Sequence, residues 1–210
     1  GITIGVTGPG SGTDQIVRFL AGEAGLNPDR DMTIVPLGSE GTAMIAAFSQ
    51  GRVDGYSISS PASHVGMRDH GGLLLFNMGT GDLPSLNGYF QVGAAATNAW
   101  LKRNPDTAVK VAMGFQMALN ALRDPGTSAE ARKRVHAARH KAIDPALYEV
   151  AWAELSRGMP ATVEITHQMV NQIAEFRNRF AKDRVDPAMV DAAFTNEYAA
   201  KAVKAVTAMK

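Results

Sequence analysis

A run of β-favouring residues, Ile2-Thr3-Ile4-Gly5-Val6, passes directly into Thr7-Gly8-Pro9-Gly10-Ser11-Gly12-Thr13-Asp14, and then into Ile16, Val17, Phe19 and Leu20 on one helical face. No charge interrupts the first run, which suits a parallel strand buried on both sides. The glycines let the backbone turn sharply, and Ser11, Thr13 or Asp14 can cap the helix that follows. The amides of that first turn, with the positive end of the helix dipole behind them, make a seat for an anion or a polar ligand above the strand end. A strand, a bare turn and a helix in this order imply a crossover unit and constrain the rest of the chain to an α/β layer.

The pattern repeats. Met32–Gly38 reads as a second strand, with Ser39-Glu40-Gly41-Thr42 leading into a short helix through Ala43, Met44, Ile45, Ala47 and Phe48, and Ser39 as its cap. Val53–Pro61 alternates as a third strand, its proline opening a helix to His70, and Gly72–Met78 reads as a fourth strand. After a loop over 79–88, Tyr89–Ala96 is ambiguous between strand and helix. Only helices are expected from Asn98 onward. One opens at Asn104-Pro105-Asp106 with a stripe of Val109, Ala112, Phe115, Leu119 and Leu122, and Thr127–Lys141 is charged and surface-lying. Another opens at Asp144-Pro145, presenting Tyr148, Trp152 and Leu155. Thr162–Lys182 is expected to be the longest, with Ile165, Met169, Ile173, Phe176 and Phe180 in line, and Asp186-Pro187 introduces a short last pair. The expected fold class is thus α/β: a parallel or mixed open sheet flanked by helices over 1–96, followed by an all-helical region over 97–210.

Composition narrows the function classes. With 45% apolar residues the chain is a folded protein, and no run reaches the roughly 18 to 20 apolar residues of a membrane helix. The sequence contains no cysteine, which removes disulfides and thiolate chemistry together. Through Thr97 there are four arginines and eight acids, a balance of −4, so the remainder carries +5 to give the total of +1. Those later basic residues are interleaved with acids and accompanied by few aromatics, which argues against nucleic-acid binding. The chain begins at Gly1 without a signal-peptide pattern and is read as a processed product or a piece of something longer.

Familiar site patterns fail one by one. A dinucleotide fingerprint would need a third glycine where Thr13 stands and an acid after the second strand, where only Glu40 lies near. A Walker loop needs a lysine that is absent. His136 and His140 share a helix face at zinc-binding spacing, but lack the metalloprotease glutamate and sit among cationic residues. His64, His70 and His167 show no acid or nucleophile partner in the sequence, and Trp100 and Trp152 read as core. What remains is the polar, glycine- or proline-shaped ends of three strands, which a parallel sheet gathers on one edge.

The order Thr3-Ile4-Gly5-Val6, Gly10-Ser11-Gly12-Thr13-Asp14, Arg18-Phe19-Leu20, Ala24-Gly25-Leu26-Asn27-Pro28, Val35-Pro36-Leu37-Gly38, Gly51-Arg52-Val53-Asp54-Gly55 and Ser59-Ser60-Pro61 resembles the periplasmic substrate-binding proteins of ABC importers. Within them it is most similar to the branch handling sulfonates, nitrate, taurine and thiamine-pyrimidine precursors. The likeness is specific across about the first 65 residues and looser afterwards. It implies a periplasmic-binding-protein-like lobe that closes with a partner lobe on a ligand, with 1–96 as the second lobe and 97–210 returning to a first lobe whose leading part is missing. It further implies contacts to a small anionic or polar organic ligand at Ser11, Gly12 and Thr13, at Gly38 and Ser39, and at Ser59 and Ser60. Also implied are no cofactor, no metal and no catalysis, a periplasmic or extracellular setting, and a membrane permease as partner of the full-length form. Mutation of Ser11 or Thr13 is expected to remove binding at constant melting temperature, and the uncovered helices are expected to self-associate. The alternatives are a nucleotide-binding α/β enzyme and a binding fold reused as a sensor module.

Overall fold

In the computed structural model, which describes residues 1–86, 89, 92–180 and 184–209, three strands pair in parallel in the order β2-β1-β3. β1 (Ile2–Val6) is central; β2 (Met32–Pro36) runs along one side, with Ile2 opposite Met32 and Val6 opposite Pro36. β3 (Gly55–Tyr56) pairs on the other side, with Ile4 opposite Gly55. The ladder continues one residue past each outer strand, Leu37 N–H donating to Val6 O and Ser57 N–H to Gly5 O, both at 2.9 Å.

The connections set the layers. Helix α1 (Gly12–Glu23) joins β1 to β2, and α2 (Gly41–Ser49) carries the chain back across β1 to β3. Two crossovers of one hand moving in opposite directions put their helices on opposite faces of the sheet. Accordingly α1 packs on α8 (His167–Phe180), and α2 packs on α3 (Ala62–His70). The α2 face explains the glycine inside β1. A Cβ on Gly5 would lie 2.7 Å from Met44 Sδ and 2.8 Å from Leu37 Cδ1, and Met44 is completely buried. On the α1 face, Ile16, Phe19, Leu86 and Phe176 form the core, with Leu20, Phe76, Met78, Leu83 and Tyr89 against it. The Phe19 and Phe176 rings stack at 5.0 Å.

Two expected strands are corrected. The third covers Gly55–Tyr56 rather than Val53–Pro61, because β1 turns away after Val6 and leaves nothing to pair with beyond Ser57. The expected fourth strand, Gly72–Met78, is not a strand: a two-residue β3 offers no edge on which to build a ladder. Its chain instead leaves α3 through Gly71, in the left-handed region at φ +68°, and Leu73 and Leu75 are 87% and 86% exposed. Of the ambiguous run, 92–96 is neither helix nor strand, while Phe90 and Gln91 lie outside the described residues.

From Asn98 the described residues hold helices and no strand. These are α4 (Asn98–Arg103), α5 (Pro105–Arg123), α6 (Ser128–Arg139), α7 (Pro145–Leu155), α8 and α9 (Glu197–Thr207). The longest is α5 with 19 residues, not α8 with 14. Asp144 caps α7 by accepting the Leu147 amide, and the proline at the next position suits its first turn. α7 packs on α3, and α5 packs on α9.

The buried line of α5 is rotated from the expected stripe. Ala108 and Gln116 are buried, whereas Phe115 is 53% exposed. The cause is the Gln116 amide, which donates to Ala161 O and Asn120 Oδ1 at 3.0 Å and accepts from the Val163 amide at 3.1 Å. A buried side chain with its hydrogen bonds met outranks an aromatic with no cavity to fill. Val111 is exposed with Phe115 one turn along the same side of α5, while Met117 is exposed on another side. Trp100 and Trp152 are half-buried rather than core, and Leu155 is exposed.

The α2–α3 contact offers a direct test of packing. A Cβ on Gly41 would lie 2.5 Å from Ala62 Cβ. Gly41→Ala should therefore lower stability by about 1–3 kcal/mol, and adding Ala62→Gly should restore most of it, as read by thermal denaturation.

Candidate functional site

In a parallel sheet the carboxyl ends of all strands face one edge, and a ligand crevice opens where successive connections depart in opposite directions. Here β1 leads away toward β2 while β3 lies on its other side, so the divergence falls between the loops after β1 and β3. Ser11, Gly12 and Thr13 belong to the first loop and its helix start, Ser59 and Ser60 to the second. Gly38 and Ser39 follow β2, on the far side of β1 from that divergence.

The β1 loop is held by one hydroxyl. Thr13 Oγ1 accepts the Thr7 amide at 2.9 Å and lies 2.8 Å from Thr7 Oγ1 and 2.9 Å from Ser11 Oγ. A hydroxyl has one proton and two lone pairs, so these three neighbours consume its whole capacity, and Thr13 is buried. Ser11 caps α1 as expected, accepting the Asp14 amide at 3.3 Å. Asp14 is buried in the first turn; its carboxylate accepts the Gly10 amide at 2.7 Å and pairs with Arg18 Nε at 2.9 Å. Arg18 also pairs with Asp29 at 2.6 Å. Partial burial alone would lower the Arg18 pKa, but its hydrogen bond to Asp29 and the charge of Asp14 raise it above the ordinary value. The positive end of α1 thus already faces a carboxylate, which leaves the amides of Gly12 and Thr13 as donors but removes much of the net attraction for a second anion.

The β2 loop is open. Gly38 sits at φ +82°, and Gly38, Ser39 and Glu40 are exposed. Ser39 does not cap α2: the cap position is Glu40, which makes no side-chain hydrogen bond there. In the β3 loop Ser59 is exposed, while Ser60 is half-buried beside α3.

Beside Ser60 lies a cluster that the sequence did not reveal. His64, expected to have no acid or nucleophile partner, is 3% exposed, and its Nε2 stands 3.2 Å from Glu154 Oε2. The direction of that contact falls outside hydrogen-bond geometry, so the carboxylate faces Nε2 without accepting a hydrogen bond from it. His64 Nδ1 is 3.4 Å from Ser60 Oγ and 3.3 Å from Ser63 Oγ, and the two hydroxyls are 3.5 Å apart. Glu154 Oε2 also accepts the Asn77 side-chain amide at 2.8 Å. Below the cluster, Tyr56 donates its phenol proton to Ser63 O at 3.3 Å, and burial pushes the pKa of that phenol up. The one visible signal was Ser60, Ser63 and His64 at helical spacing. The acid comes from α7 and has no local marker.

Three of the other four histidines are explained locally, and His70 is exposed at the end of α3. His167 Nδ1 lies 3.1 Å from exposed Asp191, again a partner not visible in sequence. His136 Nε2 is 2.8 Å from Ile143 O, and both His136 and His140 pack on Tyr148. Among the described residues no group of three or more acidic or histidine side chains is placed to hold a metal, and no helix is long and apolar enough to cross a membrane.

A parallel α/β layer with three polar strand ends on one edge is the architecture of a ligand-binding lobe. The profile of the NMT1-like family matches residues 1–136, and the chain belongs to that family, which is of the periplasmic-binding-protein type anticipated from the opening residues. A solved structure of a protein from Bordetella bronchiseptica RB50 is similar over 99% of this chain and 65% of that one, with a TM-score of 0.79 and 24% identity. This likeness shows a shared fold; the chain spans a little under two thirds of that protein's length. No curated protein sequence matches the chain.

The hydrogen-bond pattern changes what mutation of the β1 loop should do. Thr13→Val should cost about 1–3 kcal/mol, because it strands the Thr7 amide and two hydroxyls. Ser11→Ala should cost about 1 kcal/mol as a lost cap. Neither variant is therefore expected to keep the wild-type melting temperature. Chemical denaturation of the two variants checks the ranking.

Proposed function

We propose that this chain is the solute-binding component of an ABC-type import system, capturing a small polar or anionic organic molecule in a cleft of which the strand-end edge is one wall. The observation that carries the reading is the convergence of the β1 and β3 loops at the divergence point of a parallel sheet, in a chain of the NMT1-like family. Gly12 and Thr13 supply backbone donors, Ser11 and Ser60 supply hydroxyls, and Gly38, Ser39 and Ser59 lie on exposed loops where an opposing lobe would meet them. Affinity would come from hydrogen bonds desolvated as the cleft closes. The work is binding and release rather than catalysis, without a cofactor, in a periplasmic or extracellular setting with a membrane permease as partner. Nitrate, sulfonates such as taurine, carboxylates and pyrimidines form the ligand panel.

Calorimetric titration and thermal shift with that panel test the reading. Saturable binding of one class, weakened at least about tenfold by Ser60→Ala with little change in melting temperature, is the supporting result. Binding of a dinucleotide or ATP in its place would favour the nucleotide-binding enzyme.

The exposed pair Val111 and Phe115 on one side of α5 bears on the solution state. An uncovered apolar patch of this kind drives association, so light scattering should show a species larger than the 22.3 kDa monomer, reverting toward it in Phe115→Glu.

A further inference from the structure

His64, Ser60 and Ser63 form a triangle of polar atoms with sides of 3.3, 3.4 and 3.5 Å, where the loop after β3 enters α3. The protonation of the ring follows from what faces it. Glu154 Oε2 is a carboxylate oxygen with nothing to donate, 3.2 Å from a buried Nε2. A lone pair there would repel it, so the ring proton belongs on Nε2 and Nδ1 carries the lone pair. The Asn77 amide, donating to the same oxygen at 2.8 Å, keeps the carboxylate turned toward the ring.

The two hydroxyls bring two protons to this triangle. One goes to Nδ1 and the other to the neighbouring serine oxygen, which closes the triangle and leaves only lone pairs facing outward. A second proton on the ring reverses this. Nδ1–H then donates to one serine, and one hydroxyl proton is released toward the crevice.

We propose that His64 is a positioning residue that sets the hydrogen-bond polarity of Ser60: with the ring neutral, this wall accepts and selects a ligand bearing an N–H donor, and with the ring protonated it donates and admits an anion in its place. This rests on the proposed binding function and names the chemistry on one side of that site. The loop after the neighbouring strand β1 carries the amides of Gly12 and Thr13 at the start of α1, so a molecule carrying an acceptor at one end and an ammonium at the other matches both loops. The other groups around the ring do not compete for this role. α2 carries no titratable side chain over Gly41–Ser49. On β3, Tyr56 is bonded to Ser63 O. On α3 itself, Arg68 is paired with Asp69 and with Asp144 at the start of α7. Farther along α7, Glu149 is held by Arg132, and Tyr148 is packed on His136 and His140. Among the described residues, Glu154 is the one charge set against the imidazole.

Two measurements test this, and they fail separately. Ring-nitrogen NMR of the labelled protein, without any ligand, should show His64 protonated on Nε2 and bare on Nδ1 near neutral pH, and Glu154→Gln should shift the population toward the Nδ1–H form. A wild-type ring already protonated on Nδ1 overturns the inference whatever the protein binds. Calorimetry with taurine and ethanesulfonate, which differ by one ammonium group, should give about tenfold tighter taurine binding near pH 8, as for one charge-assisted hydrogen bond. The ratio should close toward unity once acid has placed a second proton on the ring, and His64→Phe should abolish that pH dependence. A ratio that is independent of pH overturns the switch, while binding of neither probe, with the tautomer as stated, counts against the proposed ligand class alone.

Discussion

Hydrogen bonding of β1 on both sides is the constraint from which the rest follows. A parallel strand pinned between β2 and β3 cannot slide without breaking both ladders, and its register fixes where all three chains leave the sheet. Because β1 ends at Val6, the ladder with β3 stops one residue past that strand, at Ser57, and both loops begin at the same height. Gly5 belongs to the same constraint: the absence of a side chain lets Met44 close over the strand and seats α2 near enough for α3 to pack on it. Position in the centre of the sheet thus propagates outward to the placement of Ser60.

The two crevice loops are stiff for different reasons. The β1 loop is self-contained, since Thr13, Thr7, Ser11, Asp14 and Arg18 satisfy one another over a span of twelve residues. Such a loop is rigid once its helix forms. The β3 loop is tied to distant chain, through His64 to Glu154 and through Glu154 to Asn77. One wall is set by local chemistry and the other by tertiary packing.

That difference also decides what was legible in the sequence. The first crossover unit, the Ser11 cap, the proline starts of α5 and α7 and the buried Phe176 could be read because each is written in a short window: a period, a cap or a turn residue. The Gly72–Met78 run was misread because a string of leucines beside an aromatic looks like a strand, whereas a strand also needs an edge, which is a property of its neighbour. Phe115 misled in the same way, its helical spacing outweighed by three hydrogen bonds to Gln116, whose partners lie up to 47 positions away. His64 was the costliest miss, because the residue that gives it meaning sits on another helix. Serine and glycine at strand ends mark the edge on which the proposed ligand site is placed. They did not tell which of those hydroxyls had protons to spare.

The bond between Asn77 and Glu154 spans 77 positions of chain and closes over His64. Consider the polypeptide as it emerges during synthesis. The sheet, the β1 loop and α3 could all assemble from the first part of the chain, but the imidazole would still be free to turn, with nothing to choose between its two nitrogens. Only when α7 arrives does the ring acquire an orientation. The later half of the chain thereby completes the surroundings of a side chain located in the first half.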